Sequence, residues 1–373
     1  VRRIWFILGF VSVLRVSAPG FDFSSVTAGL SYAYFTETNH PWSIHIARIE
    51  RSHKELQIIS THAGGHVAAL GSVADQTRSV TAMGFDPLVA VNGDFFVIAS
   101  GPYQGDPGGL QIMHGDLLSL PHGPSLWSDR GNLHLSEVRS KMAVIWPDGG
   151  RSRLGLNEAP RPDSVVLFTP SFGPATRATN FAEVLLEAKS DRLAANHSYN
   201  AIISEVNSNG NTPLKKGRMV LSVGAAEAGH LASASNHAAV RFETTLSDNL
   251  REATEGIGGG PILVRRGKEQ RWNSPDKKDA TGSLLRHPRT AIGFNRKYLF
   301  LVVVDGRQPG LSIGMNFPEL AAFMKSLDCE EAMNLDGGGS STFWLQGKIK
   351  NSPSDKRERA VANAVVIVRR LAR

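Results

Sequence analysis

The run Tyr298-Leu299-Phe300-Leu301-Val302-Val303-Val304 is apolar at every position and stops at Asp305-Gly306. It is far shorter than the roughly 20 residues a membrane helix needs. A short run with no polar face, ended by a turn signal, reads as a strand covered on both sides at the centre of a sheet. Thr290–Phe294 precedes it across Asn295-Arg296-Lys297, so the two form a predicted hairpin. Any fold for this chain must bury that strand.

The rest of the chain is punctuated in the same way. Strands are predicted at Leu88–Val91, Asp116–Leu120, Asn132–Leu135, Met142–Trp146, Ser164–Thr169, Arg218–Val223, Pro261–Val264, Ala332–Leu335, Thr342–Leu345 and Ala362–Val368. Ser43–Glu50 and Leu56–Ile59 read as a hairpin through Ser52-His53-Lys54. Phe317–Leu327 reads as a helix, with Leu320, Phe323, Met324 and Leu327 on one stripe and Pro318 in the first turn. A second helix is expected around Val67–Arg78. The asparagine-rich stretch Lys189–Leu214 and the Gly/Pro-rich Ser100–Gly109 read as loops that would shape specificity, and Gly229–Val240 fits either element. Glycine is 37 of 373 residues, against a usual share of about 7%, which weighs against a helical bundle. The expected fold class is α+β (mixed α/β): a central, largely buried β-sheet flanked by helices, with additional antiparallel hairpins, in a single catalytic domain.

The chain opens with Val1-Arg2-Arg3 and an apolar run Ile4–Leu14, followed by Ser17, Ala18 and Gly20. That is the pattern of a secretory signal peptide. The expected layout is a signal peptide at 1–20, an N-terminal strand and hairpin region at 21–85 packing on the catalytic domain, and the catalytic domain at 86–370. The protein is expected to be secreted or periplasmic, with no stable membrane anchor after cleavage. Lys+Arg 41 against Asp+Glu 34 gives +7, too thin a charge over this length to indicate a nucleic-acid partner. The one cysteine, Cys329, excludes an internal disulfide and a multi-cysteine zinc site.

His-Glu-x-x-His, Gly-x-Ser-x-Gly and Walker A motifs are absent. Gly256-x-Gly258-Gly259-Gly260-Pro261 precedes a strand instead of following one, which excludes a dinucleotide loop. Four clusters remain: Asn92-Gly93-Asp94-Phe95-Phe96; Gly258-Gly259-Gly260-Pro261; Arg286-His287-Pro288-Arg289-Thr290 with Asp305-Gly306-Arg307 beside it; and Asn334-Leu335-Asp336-Gly337-Gly338-Gly339-Ser340-Ser341. Taken singly, each has an ordinary reading as a turn, a flexible bend or solvated charge. Together they place Asp94, Asp305 and Asp336 at the ends of apolar strands, where ligands commonly bind. Glycine runs such as Gly259-Gly260 and Gly337-Gly338-Gly339 let backbone amides approach an anion. Arg286, Arg289 and Arg307 offer permanently charged planar forks for phosphate oxygens.

In order and spacing, these motifs resemble the phosphodiester glycosidase family over roughly Leu88 to Val368, with Glu319-Leu320-Ala321 and Arg359-Ala360-Val361-Ala362-Asn363-Ala364 also matching. The Asn-Leu-Asp-Gly-Gly-Gly-Ser run is the most specific part. The resemblance implies hydrolysis of a sugar-1-phosphodiester, of N-acetylhexosamine type, between the anomeric carbon and its oxygen, in exopolysaccharide or cell-envelope glycan metabolism. The departing phosphomonoester would need charge neutralisation, from Arg289, Arg307 and Arg286 and from the amides of Gly337 to Ser340. Asp94 and Asp336 would serve the oxocarbenium-like carbon, with Asp305 as a structural or supporting alternative. Asn92, Asn334 and Ser340 would bind sugar hydroxyls. Clustered carboxylates admit calcium or magnesium, but no dedicated ligand motif is present and no cofactor is expected. Two other functions fit the same clusters: a non-catalytic module for anionic polysaccharide, in which Phe95, Phe96 and Trp344 would be exposed, and a phosphodiesterase cutting the P–O bond.

Overall fold

In the computed structural model, which describes residues 20–37, 41–271 and 284–370, strand Tyr298–Val304 lies between Arg289–Phe294 and Trp42–Glu50, antiparallel to both. The turn to Arg289–Phe294 is held by the Asn295 side chain, which accepts the amides of Lys297 and Tyr298 at 2.9 and 2.8 Å. The alternation along the strand is resolved into two cores. Leu299, Leu301 and Val303 enter one apolar cluster, and Phe300, Val302 and Val304 enter another. Both faces are thus covered, as the apolar run requires.

The sheet around this strand has eight strands, in the order Ser24–Thr27, Leu30–Glu37, Trp42–Glu50, Tyr298–Val304, Arg289–Phe294, Glu331–Asn334, Ile262–Arg265, Lys268–Glu269. One face packs on helix α2 (Phe317–Ser326), through Leu320, Phe323 and Met324. Asn316 caps α2 in a capping box with Glu319, and Pro318 sits in its first turn. The other face packs on a five-stranded sheet, in the order Lys348–Ile349, Phe343–Leu345, Phe85–Asn92, Asn363–Arg370, Leu56–His62. Helix α1 (Val73–Ala82), capped by Ser72 and Asp75, covers that sheet's outer face.

The expected helix-flanked central sheet is therefore overturned. The protein is mostly β: two sheets stack face to face between α1 and α2, and a further five-stranded sheet and a closed seven-stranded barrel are added to them. The further sheet contains Gln111–Met113, His122–Asp129, Asn132–Arg139 and Ala253–Gly258. The barrel runs from Ala143–Ile145 to Ala239–Glu243 and closes by pairing those two strands. The physical reason is local polarity. Barrel strands such as Ser198–Asn207, inside the stretch read as loop, bury only Ala201 and Ile203, with Ile202 and Val206 exposed among polar residues, so the alternation is blurred. The anticipated hairpin of Ser43–Glu50 with Leu56–Ile59 also does not form: Trp42–Glu50 joins the eight-stranded sheet, and Leu56–His62 pairs with Asn363–Arg370. The signal-peptide reading lies outside the described residues, apart from Gly20. Among the described residues no helix is long and apolar enough to cross a membrane.

Candidate active site

The stacked sheets bring several strand ends to one edge. Arg289 pairs with Val304, so Asp305 follows immediately beyond it; Ala291 pairs with Asn334, and Ala364 with Asn92. Backbone bonds stitch the loops together. The Asp336 amide donates to Gly93 O at 2.9 Å, Gly338 N to Pro288 O at 2.9 Å, and Gly260 N to Asn334 O at 2.7 Å. The four sequence clusters thus meet in one neighbourhood.

The three acids have different surroundings. Asp305 is 1% exposed. One carboxylate oxygen accepts the Ser43 hydroxyl at 2.7 Å and faces His45 Nε2 at 3.5 Å. The other accepts Ser352 N at 2.8 Å and Asn351 Nδ2 at 3.2 Å. It is a satisfied internal anchor, turned toward protein donors. Asp94 is 3% exposed. Its Oδ1 accepts the Phe95 amide at 2.7 Å, while Oδ2 has no hydrogen bond of good geometry and lies against Gly109 and Gly258. A Cβ at Gly258 would come within 2.2 Å of that oxygen, so only glycine fits there. Burial, reinforced by the charge of Asp336, pushes the Asp94 carboxyl up to about 7. Asp336 is half-buried. Its carboxyl is raised by burial, against the opposing pull of the Ser340 hydroxyl, the Gly337 amide and Arg359. Of the pair, Asp336 reaches the surface and Asp94 lies behind it.

The arginines divide as sharply. Arg286 is committed to an ion pair with Glu319 of α2. Arg289 is buried over the Phe317 ring, its guanidinium carbon 4.1 Å from the ring centre, and donates to Met315 O and Leu285 O, each at 2.9 Å. Burial, with Arg307 nearby, lowers it to about 10. Arg307 is exposed, and its guanidinium contacts the space beside Gly338, whose φ of 61° lies in the left-handed region. Its protein partner is His287 Nδ1, which accepts from Nε at 3.3 Å; burial and then Arg307 hold that imidazole below its usual range.

Asn92 is committed to the protein. Its Oδ1 accepts the Thr290 hydroxyl at 2.7 Å and Thr342 N at 3.1 Å, and its Nδ2 donates to Asp336 O at 2.6 Å. Asn334 Nδ2 donates to Gly260 O at 2.9 Å, while its Oδ1 is buried without a partner. The glycine amides are largely engaged. Gly259 N donates to Pro124 O, Gly260 N to Asn334 O, Gly338 N to Pro288 O and Ser340 N to Gly337 O; Gly337 N donates to Asp336 Oδ1. The glycines serve close packing more than anion binding. Trp344 is 7% exposed, not the surface aromatic expected, whereas Phe95 is exposed.

Four residues of the neighbourhood have no role assigned from sequence, two of them, Arg359 and Asn363, inside the matching stretch Arg359–Ala364. Arg359 lies over Gly339, bonded to Asp355 at 2.7 Å and reaching the Ser340 hydroxyl at 3.4 Å. Asn363 Oδ1 accepts the Asp94 amide at 2.8 Å. Asp106, on the loop that folds back beside Phe95, is pushed up to about 8 by burial and then by Glu158. His122 acts electrostatically on Asp94. Arg359 and Asn363 carried a signal, as members of that matching stretch, with Asn363 an amide opening an apolar strand as Asn92 and Asn334 close theirs. Among the described residues no group of three or more metal-ligating side chains forms a cation site.

The resemblance drawn from the motifs is borne out. Residues 192–368 match the family model "Phosphodiester glycosidase"; Asn92 and Asp94 precede that match. The human N-acetylglucosamine-1-phosphodiester alpha-N-acetylglucosaminidase is 39% identical over 123 residues, covering 30% of this chain and 24% of its own length. The chain spans about a quarter of the length of the curated mammalian relatives it matches. Two solved structures share the fold. A hypothetical protein from Synechocystis has a TM-score of 0.74 at 18% identity, covering 94% of this chain and 64% of that one. A putative exported protein from Burkholderia pseudomallei has a TM-score of 0.70 at 22% identity, covering 89% and 75%.

Proposed function

We propose that this chain, which carries a phosphodiester glycosidase domain at residues 192–368, hydrolyses a sugar-1-phosphodiester between the anomeric carbon and the phosphate oxygen, outside the cytoplasm. The observation that carries the reading is the unequal acid pair: Asp336 reachable from solvent, and Asp94 buried and tuned to hold a proton near neutral pH. Two carboxyls with separated environments are what glycoside cleavage uses.

In this reading Asp336, ionised, faces the anomeric carbon and stabilises its developing positive charge or directs water to it. Asp94 stays neutral, so no second negative charge opposes the arriving anion. The leaving phosphate departs as a stable anion, and fixed positive charge lowers the barrier to its departure. Arg307 and Arg359, on either side of the Gly338–Ser340 turn, supply that charge, with Arg289 holding the turn's neighbours from beneath. Asn334 Oδ1 is buried and lacks a partner, and in this reading it accepts a sugar hydroxyl only where the substrate reaches past the Gly260 loop. The N-acetylhexosamine identity of the sugar follows from what the mammalian relatives are named for, and a role in envelope or exopolysaccharide glycan is the setting this chemistry fits.

Incubation with UDP-N-acetylglucosamine or a 4-nitrophenyl glycosyl phosphate in oxygen-18 water tests the proposal. Label in the released sugar is the expected result. Label in the phosphate product would mean P–O cleavage instead, and saturable binding without turnover would mean a polysaccharide-binding module.

A further inference from the structure

A second cationic zone lies where strands His122–Asp129 and Asn132–Arg139 meet the barrel. Strands His122–Asp129 and Asn132–Arg139 are antiparallel, and His122 and Arg139 are direct cross-strand partners. Arg153 comes from a different sheet, on strand Arg151–Leu156 of the barrel. With Glu137 and Ser140 these residues line an open groove of about 500 Å³ at the seam between the barrel and the five-stranded sheet.

The charges in this groove are not balanced in the way of the surrounding surface. Elsewhere on that surface, Arg151 pairs with Glu243, Arg192 with Asp116 and Arg130 with Glu252. Arg139 and Arg153 make no ion pair with an acid among the described residues. Glu137 is two positions from Arg139 on the same strand face and pairs with neither arginine. His122 is drawn to Glu158 at 3.9 Å. The groove also connects to the site. His122 and Asp94 act on each other electrostatically, and Pro124 O, two residues on, accepts the Gly259 amide beside the acid pair.

One scissile phosphate needs one cationic zone, which the proposed mechanism assigns to Arg307, with Arg359, paired to Asp355, on the far side of the Gly338–Ser340 turn. Two guanidiniums without acid partners, held by separate sheets around one groove, match a second anion with their planar forks. We propose that this groove is a subsite for an anionic group, phosphate or carboxylate, carried on the sugar side of the scissile bond. The proposal rests on the glycosidase reading and narrows its substrate class to anionic glycans. Glu137 and Ser140 then meet hydroxyls of the same residue.

The test compares two substrates: a 4-nitrophenyl N-acetylglucosaminyl phosphate and its 6-phosphorylated counterpart. The wild-type protein should favour the phosphorylated substrate by about tenfold or more in kcat/KM, and Arg139→Gln with Arg153→Gln should bring that ratio close to one. The paired lysine variants should keep part of the preference. Equal rates in the wild type, or a ratio untouched by the glutamines, overturns the subsite. A second arm does not depend on turnover. N-acetylglucosamine 6-phosphate is titrated by NMR into wild type, Asp336→Asn and the double glutamine variant. Binding retained in Asp336→Asn and weakened about tenfold in the glutamine variant supports the groove, even if neither substrate is cleaved and the glycosidase reading falls. Binding alike in all three, or none, removes the groove.

Discussion

The side-chain amide of Asn92 donates to the main-chain carbonyl of Asp336 at 2.6 Å, joining positions 244 residues apart. The same Asn92 takes the Thr290 hydroxyl and the Thr342 amide on its oxygen. One buried side chain thus ties the end of Phe85–Asn92 to the loop that carries the half-buried Asp336. Asn92→Ala leaves Thr342 N and Asp336 O without this partner and the Thr290 hydroxyl with Ser341 Oγ at 3.3 Å, each orphaned group costing roughly 1–3 kcal/mol. The expected loss is about 3 kcal/mol in urea melts, together with a kcat lowered about a hundredfold as Asp336 loses its position.

Asp336→Asn keeps the size of the side chain and removes its charge. The variant should fold with near wild-type stability, bind substrate within a few-fold of wild type, and lose about a thousandfold or more in kcat, because the lost interaction belongs to the transition state. Steady-state kinetics on a glycosyl phosphodiester decides this; a variant with unchanged kcat removes Asp336 from the mechanism.

Asp94 makes a prediction about pH. Its carboxyl sits at about 7 in the folded protein, against roughly 4 when unfolded. Between those values the native state holds a proton that the unfolded chain has released, so this group's contribution to stability falls as pH rises through the window and is lowest above pH 7. Asparagine mimics the neutral form at every pH. Relative to wild type, Asp94→Asn should therefore gain stability from pH 5 to pH 8, by a few kcal/mol at about 1.4 per unit. Wild-type kcat/KM should fall above pH 7, as a second negative charge appears behind Asp336, and the fall should vanish in the variant. Parallel melts and rate profiles for the two proteins would count against a neutral Asp94.

Arg307 and Arg286 separate binding chemistry from surface pairing. Arg286→Gln breaks an exposed ion pair with Glu319, worth under about 1 kcal/mol, and should leave the kinetics unchanged. Arg307→Gln should lower kcat by about ten- to a hundredfold through lost stabilisation of the departing phosphate. Equal kinetics in the two variants would place the phosphate elsewhere.

Much of the site was legible because chemistry and turn signals coincide at strand ends. Asp94, Asp305 and Asp336 each follow an apolar run, and all three lie at or near one sheet edge. What the sequence could not distinguish was the direction of each side chain. Asp305 and Arg289 look as available as Asp336 and Arg307, yet Ser43, Asn351 and Ser352 take the first, and two carbonyls and a ring take the second. The glycine runs looked like amide cradles. Their amides are spent on Pro124, Asn334 and Pro288, partners supplied by the tertiary fold. The fold class was misjudged where strands are short or one-sided. Tyr298–Val304 announces itself by seven apolar residues, whereas Ser198–Asn207 alternates weakly, with a bulge in its pairing between Leu185 and Leu186. The second sheet was hidden because the apolar patterns of Leu88–Val91 and Ala362–Val368 carry no record of which sheet a strand joins.

The strand Asn363–Arg370 lies between Phe85–Asn92 and Leu56–His62 and offers Asn363 to the Gly93 and Asp94 amides. The Asp94 contact spans 269 positions, a length that a ribosome needs on the order of tens of seconds to cover. Until that strand emerges, the nascent polypeptide carries its acid loop untethered and two ladder edges vacant. The order of the strands along the chain therefore leaves the Asp94 loop without its anchor until nearly the whole fold has been made.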